Sequence, residues 1–158
     1  MPSIFHTGTP LAANGETMFD FHSGPHNLTE VMPPTLTFVS LKNDGLEQEG
    51  RMMELRCRDF WIIPMRWTCR WKTVQRHHLL VDEIVKGPSA LFVHEHRIEE
   101  LDAGNCVMYD KVTYQWGRSW WGRLVSETGM RFYLTLLFKY RHYRTHKWAA
   151  LKAGTQPS

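Results

Sequence analysis

Between Gly50 and Val74, apolar and charged residues alternate with a period of two. Met53, Leu55, Cys57 and Trp61 share one parity, and Met65, Trp67, Cys69 and Trp71 repeat it on the return. Glu54, Arg56, Arg58, Arg66, Arg70 and Lys72 hold the other parity. Successive side chains of a strand point to opposite faces, so this spacing predicts a long hairpin turning near Ile62-Ile63-Pro64, apolar inside and charged outside. Three more strands follow, Leu79 to Val85, Ala90 to Leu101 and Cys106 to Trp116. Lys86-Gly87-Pro88-Ser89 and Asp102-Ala103-Gly104-Asn105 separate them as turns.

Upstream, Ser3 to Gly8 reads as a short edge strand that stops at Pro10, where a ladder donor is missing. Leu11 to Phe21 and Asn27 to Val31 read as two short helices, interrupted by Ser23-Gly24-Pro25 and ended by Pro33-Pro34. Thr35 to Leu41, rich in β-branched residues, is a strand closed by the turn residues Asn43-Asp44-Gly45. Beyond Leu124 the period changes: Phe132, Leu136, Tyr140 and Tyr143, with Leu137 beside them, fall on one helical stripe, and no proline precedes Pro157. A sheet that is apolar on one face must cover it, and only this terminal helix is long enough. The expected fold is α+β: a twisted antiparallel sheet of about seven strands gripping a long C-terminal helix, with two short helices after the first strand. Residues 1–152 should form a single ligand-binding domain and 153–158 a flexible tail.

The three strands from Leu79 to Tyr114 turn an unusual face inward. Leu80, Asp82, Ile84, Phe92, His94, His96, Ile98, Asp110, Val112 and Tyr114 share it. A solvent face would be more uniformly polar and a closed core more uniformly apolar, so the mixture points to the lining of a cavity.

Composition narrows what such a cavity serves. With 42% hydrophobic and 22% charged residues the chain is globular in character. A net charge of +3 and the absence of finger or phosphate-loop motifs argue against nucleic acid as a partner. Cys57, Cys69 and Cys106 form no CxxC pair and leave an odd one over, which fits small buried hydrophobes in a reducing, cytoplasmic setting. No long apolar run signals a membrane span, and no GxSxG or cofactor loop appears.

The residues Val81-Asp82-Glu83, Lys86-Gly87-Pro88 and Phe92-x-His94-x-His96 then carry a resemblance, joined by Asp110-x-Val112-x-Tyr114, Met32-Pro33-Pro34 and Leu137-Phe138-x-Tyr140-Arg141. In this order and spacing they resemble the START-like superfamily, also called SRPBCC or helix-grip, and within it the bacterial cyclase/dehydrase-like and coenzyme-Q-binding-like single-domain proteins. Ile84 stands where many relatives have glutamine, and Phe92 where they have tryptophan. The resemblance implies a cavity between sheet and terminal helix for a lipid, quinone or polyketide-like molecule. Trp67, Trp71, Phe92, His94, His96, Tyr114, Phe132, Leu136 and Tyr140 are its expected lining.

Three functions remain open on these residues. The first is binding or carrying a hydrophobic small molecule. The second is a cyclase/dehydrase-type enzyme in which His94 or His96 moves protons and Asp82 or Asp110 orients it, since a carboxylate beside histidine holds its tautomer. The third is a membrane-associated regulator that uses the basic terminal helix, with Lys139, Arg141, Arg144, Lys147 and Lys152, for weak surface contact. His94 and His96 lie about 7 Å apart along a strand, a spacing compatible with metal. No cysteine or further histidine converges on them in the sequence, so neither metal nor cofactor is expected.

Overall fold

The computed structural model describes residues 1–43, 48–116 and 119–153. Seven strands form one antiparallel sheet: β1 (Ser3–Leu11), β2 (Thr37–Asn43), β3 (Met52–Asp59), β4 (Ile63–Gln75), β5 (Leu79–Lys86), β6 (Leu91–Asp102) and β7 (Asn105–Gln115). Their order across the sheet is β1-β7-β6-β5-β4-β3-β2. Two short helices, α1 (Gly15–Ser23) and α2 (Leu28–Val31), follow β1. At the C-terminal end, α3 (Trp120–Val125) passes through one wide π-helical turn, Ser126–Met130, into the long α4 (Arg131–Ala153). This is the expected α+β helix-grip fold. The turn at Asp44-Gly45 and the tail beyond Ala153 lie outside the described residues.

Local departures have local causes. β1 runs through Pro10 to Leu11 because it is an edge strand, paired only with β7, where a missing donor is tolerated. The β3–β4 hairpin turns at Phe60-Trp61-Ile62, and Asp59 pairs with Ile63. Phe60 and Trp61 both adopt left-handed backbone angles, φ 46° and 63°. The turn throws Trp61 outward, 60% exposed, where its indole N–H donates to the Pro34 carbonyl at 3.0 Å. Its parity with Leu55 and Cys57 therefore does not place it inside, and the buried position after Cys57 belongs to Asp59.

Helix α1 begins at Gly15, capped by the Asn14 side chain, which accepts from the Thr17 N–H at 2.8 Å. The Gly15 N–H donates to Glu100 Oε2 at 2.6 Å. A Cβ at this position would meet that carboxylate, the free end of an exposed side chain, and lie 3.2 Å from Ile98 Cγ2, so α1 approaches β6 closely here.

Helix α4 turns a different stripe inward from the one its hydrophobicity suggests. Leu134, Phe138, Arg141, Thr145 and Ala149 are buried, whereas Phe132 is 67% and Leu136 51% exposed. Tyr143 is exposed and Tyr140 half-buried. Two stripes compete on this helix, and the one that wins contains a charge and a hydroxyl. Thr145 satisfies itself by donating to the Arg141 carbonyl at 2.9 Å, and Arg141 enters the field of two inward carboxylates, Asp110 and Asp82.

The core is unevenly filled. Phe5 of β1 and Val112 and Tyr114 of β7 pack directly with Leu134 and Phe138 of α4. Met53, Leu55 and Cys69 on β3 and β4 form a separate cluster that contains no residue of α4. A gripped helix that touches one flank of the sheet and stands off the other leaves space between them. All three cysteines are buried free thiols, and burial raises the Cys69 and Cys106 pKa values, so both remain protonated.

Candidate functional site

The space is a cavity of about 440 Å³, a size suited to a small organic molecule. Met53, Leu55, Trp67, Trp71, Ile84 and Phe92 line it from the sheet. Tyr133, Leu134, Leu137, Phe138 and Arg141 line it from α4, and Phe21, His22, Leu28 and Val31 from the short helices. Phe60 and Ile63 also line it and are about half exposed, which marks the mouth beside the hairpin turn.

Within this apolar wall sits one dense polar group. Cross-strand register places Asp82 opposite His94, and His96 opposite Asp110. Asp110, only 1% exposed, accepts from His94 Nε2 at 3.0 Å and, on its other oxygen, from His142 Nε2 of α4 at 3.0 Å. His96 Nδ1 lies 2.7 Å from Asp110 Oδ1, the oxygen that also accepts from His94. The His94 and His96 rings are 3.8 Å apart, and His22 adds a third ring 5.4 Å from His96. With His94 Nε2–H committed to Asp110, its Nδ1 carries the lone pair and lies 3.7 Å from Asp82.

Burial sets the protonation of this group. It lowers the pKa of His22 to about 3 and of His96 to about 4, and it lowers that of His94 against the pull of Asp110. Burial likewise pushes Asp82 up, toward its neutral form. Asp110 goes the other way: despite burial, His96 and the hydrogen-bonding histidines hold its carboxyl well below the ordinary range. At neutral pH the cavity therefore presents neutral imidazoles backed by a buried carboxylate.

Asp82, His94 and His96 also offer donor atoms that all lie within 4.8 Å of one another. His94 Nδ1 and Asp82 Oδ2 are 3.7 Å apart, near the roughly 3.4 Å that separates tetrahedral ligands at about 2.1 Å from an ion. The Arg141 cation, whose field reaches Asp82, His94 and His96, opposes a second positive charge there. The donor types suit a metal, and the neighbouring cation opposes one.

Of the residues expected from the sequence, Trp67, Trp71, Phe92, His94 and His96 lie on the cavity wall with Asp82. Asp110 lies immediately behind the histidines, and Tyr114 is buried in the packed flank under α4. Phe132 and Leu136 face outward, and Tyr140 is not on the wall, because the helix presents its other stripe. Arg141 entered the sequence reading only as a motif residue and as part of the basic helix surface, and His22 and His142 escaped it. The i, i+4 succession Leu134, Phe138, His142 was its one visible trace. The helix surface expected to be basic is also divided: Arg141 is inside, and Arg144 bonds the Glu30 carbonyl at 2.8 Å and its carboxylate at 3.3 Å.

Two donors on the wall have no partner among the described residues. They are the Trp67 indole N–H and the Ser89 hydroxyl. A side chain at Gly87 would lie 3.3 Å from Trp67 Cδ1, so the β5–β6 turn that carries Ser89 rests against the same ring.

A seven-stranded sheet wrapped around a terminal helix over an internal cavity defines a helix-grip protein. The fold is similar to that of START-like proteins of known structure. No protein-family profile and no curated protein sequence matches it. Among solved structures it is similar to an aromatase/cyclase from Streptomyces sp. R1128, with a TM-score of 0.72 and 13% identity over 97% of this chain and 96% of that one. Norcoclaurine synthase from Thalictrum flavum, in complex with dopamine and hydroxybenzaldehyde, gives 0.68 and 13% over 100% and 90%. A START superfamily protein from Mycobacterium smegmatis gives 0.67 and 13% over 92% and 98%. At such identities the likeness establishes the fold alone. No helix among the described residues is long and apolar enough to cross a membrane.

Proposed function

We propose that the protein binds a hydrophobic, oxygen-bearing small molecule in the cavity between the sheet and α4. One observation carries this reading: an apolar wall of about 440 Å³ interrupted at few places, by the His94/His96/Asp82 group, Arg141, and the unpaired donors of Trp67 and Ser89. A pure hydrocarbon would leave those groups unmet, whereas carbonyl or hydroxyl oxygens on an apolar body would satisfy them. Quinone-like and polyketide-like molecules have this character, and the named ligands and activities of the structural relatives are compatible with it.

The test is direct. Gently purified protein, examined by native mass spectrometry, should carry an apolar adduct, and stripped protein should bind the neutral fluorophore N-phenyl-1-naphthylamine. His96→Ala should weaken binding of the recovered adduct by roughly tenfold or less, as expected for one hydrogen bond of about 0.5–1.5 kcal/mol. Stripped protein that leaves the fluorophore dark would defeat the reading.

A second reading, as a cyclase/dehydrase-type catalyst, is favoured by one feature. His94 keeps its Nδ1 lone pair beside Asp82, a residue of the cavity wall, while Asp110 holds Nε2–H, the arrangement of an oriented general base. In that case His94→Ala would lower turnover of a polycarbonyl substrate by about a hundredfold or more with little change in its binding. An unchanged rate would remove this reading and leave the first intact.

A further inference from the structure

Arg141 is the cavity group whose positive charge a neutral carbonyl or hydroxyl oxygen would leave unmatched. It comes from the middle of α4, is 9% exposed, and lines the cavity. Its Cζ lies 5.2 Å from the Phe138 ring centroid, a cation–π contact on one side of the guanidinium. Among the described residues it forms no ion pair, and its side chain donates no hydrogen bond.

The two carboxylates that act on it from a distance are otherwise occupied. Asp110 spends one oxygen on His142 and the other on His94, with His96 beside it. Asp82 is pushed by burial toward its neutral form and faces His94. A guanidinium has five N–H donors and stays charged, so leaving one in an apolar cavity without an acceptor is among the more costly arrangements a fold can keep. A ligand that brings the acceptor removes that cost.

We propose that the cavity is built for an amphiphilic acid: an apolar body whose carboxylate is held by the Arg141 guanidinium. This rests on the binding reading above and adds the class of ligand. The planar fork of arginine matches the two oxygens of a carboxylate, and the pairing is strongest where water is excluded. Neutral His94 and His96 add no second cation to compete for the acid. The apolar body lies toward Leu55, Trp67 and Phe92, which line the same space.

The probe pair cis-parinaric acid and its methyl ester tests the charge alone, because both fluoresce on entering an apolar site and share one chain. At pH 7.5 the acid should bind about ten- to a hundredfold more tightly than the ester, the range expected for charge-assisted hydrogen bonds to a desolvated arginine. Arg141→Met should abolish the difference between acid and ester, and Arg141→Lys should keep part of the preference. Urea unfolding of the Met and Lys variants beside the parent checks that each is folded before the probes are compared.

Equal binding of acid and ester to the parent protein would overturn the inference, as would an acid preference that survives Arg141→Met. Failure of both parinaric probes while N-phenyl-1-naphthylamine still binds would overturn it too, leaving the binding reading in place. Failure of all three probes would defeat both together.

Discussion

Replacing Asp110 with alanine should remove about 3–5 kcal/mol of folding stability, a large share of what a domain of this size possesses. The carboxylate is the hub of a buried network: it accepts from His94 on β6 and His142 on α4, and it lies against His96. Its removal strands ring N–H groups where water does not reach, and that desolvation penalty makes the loss larger than the worth of any one hydrogen bond. It also cuts a polar tie between sheet and gripped helix. Asp110→Asn keeps the shape and one acceptor and should cost less, about 1–3 kcal/mol. Urea unfolding of the two variants beside the parent is the measurement. A loss below about 1 kcal/mol for the alanine variant would mean that the three histidines do not depend on this carboxylate.

That network explains what could and could not be read from the residues in order. The inward face of β5, β6 and β7 was legible because a strand's parity is strict: once Leu80 is buried, Asp82 and Ile84 must follow it, and His94, His96 and Asp110 fall in line by register. The α4 face was not legible, because an α-helix offers several overlapping stripes and hydrophobicity favoured the one through Phe132 and Leu136. The stripe that the fold selects holds Arg141 and Thr145, whose burial makes sense only beside Asp82, Asp110 and a cavity supplied by other elements. Trp61 failed for a related reason. Parity holds only while the strand lasts, and the hairpin turns one residue before it. His22 lies on a short helix whose position depends on Gly15 meeting Glu100, a contact between residues 85 apart in sequence.

Lowering the pH from 7 should destabilise the protein well before its carboxylates titrate. In the unfolded chain His22 and His96 bind a proton below their ordinary value of 6.5, whereas in the folded state burial holds them neutral down to about 3 and about 4. Between those limits the unfolded state binds more protons, so stability is full above pH 6.5 and falls as the pH drops. His94 is shifted in the same direction by the same cause and adds to the slope. Asp110, held low, contributes stability that is lost only at still lower pH, and Asp82, raised by burial, opposes the trend above its unfolded value. At roughly 1.4 kcal/mol per unit, His96 alone should account for about 2 kcal/mol of loss by pH 5, and His22, half-buried on the cavity wall, for up to as much again. Unfolding free energies measured in urea at pH 7.5, 6 and 5 should therefore decline steeply. His96→Gln, which cannot take up the proton in either state, should flatten that decline by about its own share. A stability that stays level from pH 7.5 to 5 would mean that these histidines take up protons in the folded protein as readily as in the unfolded chain, and the lowering assigned to burial would have to be abandoned.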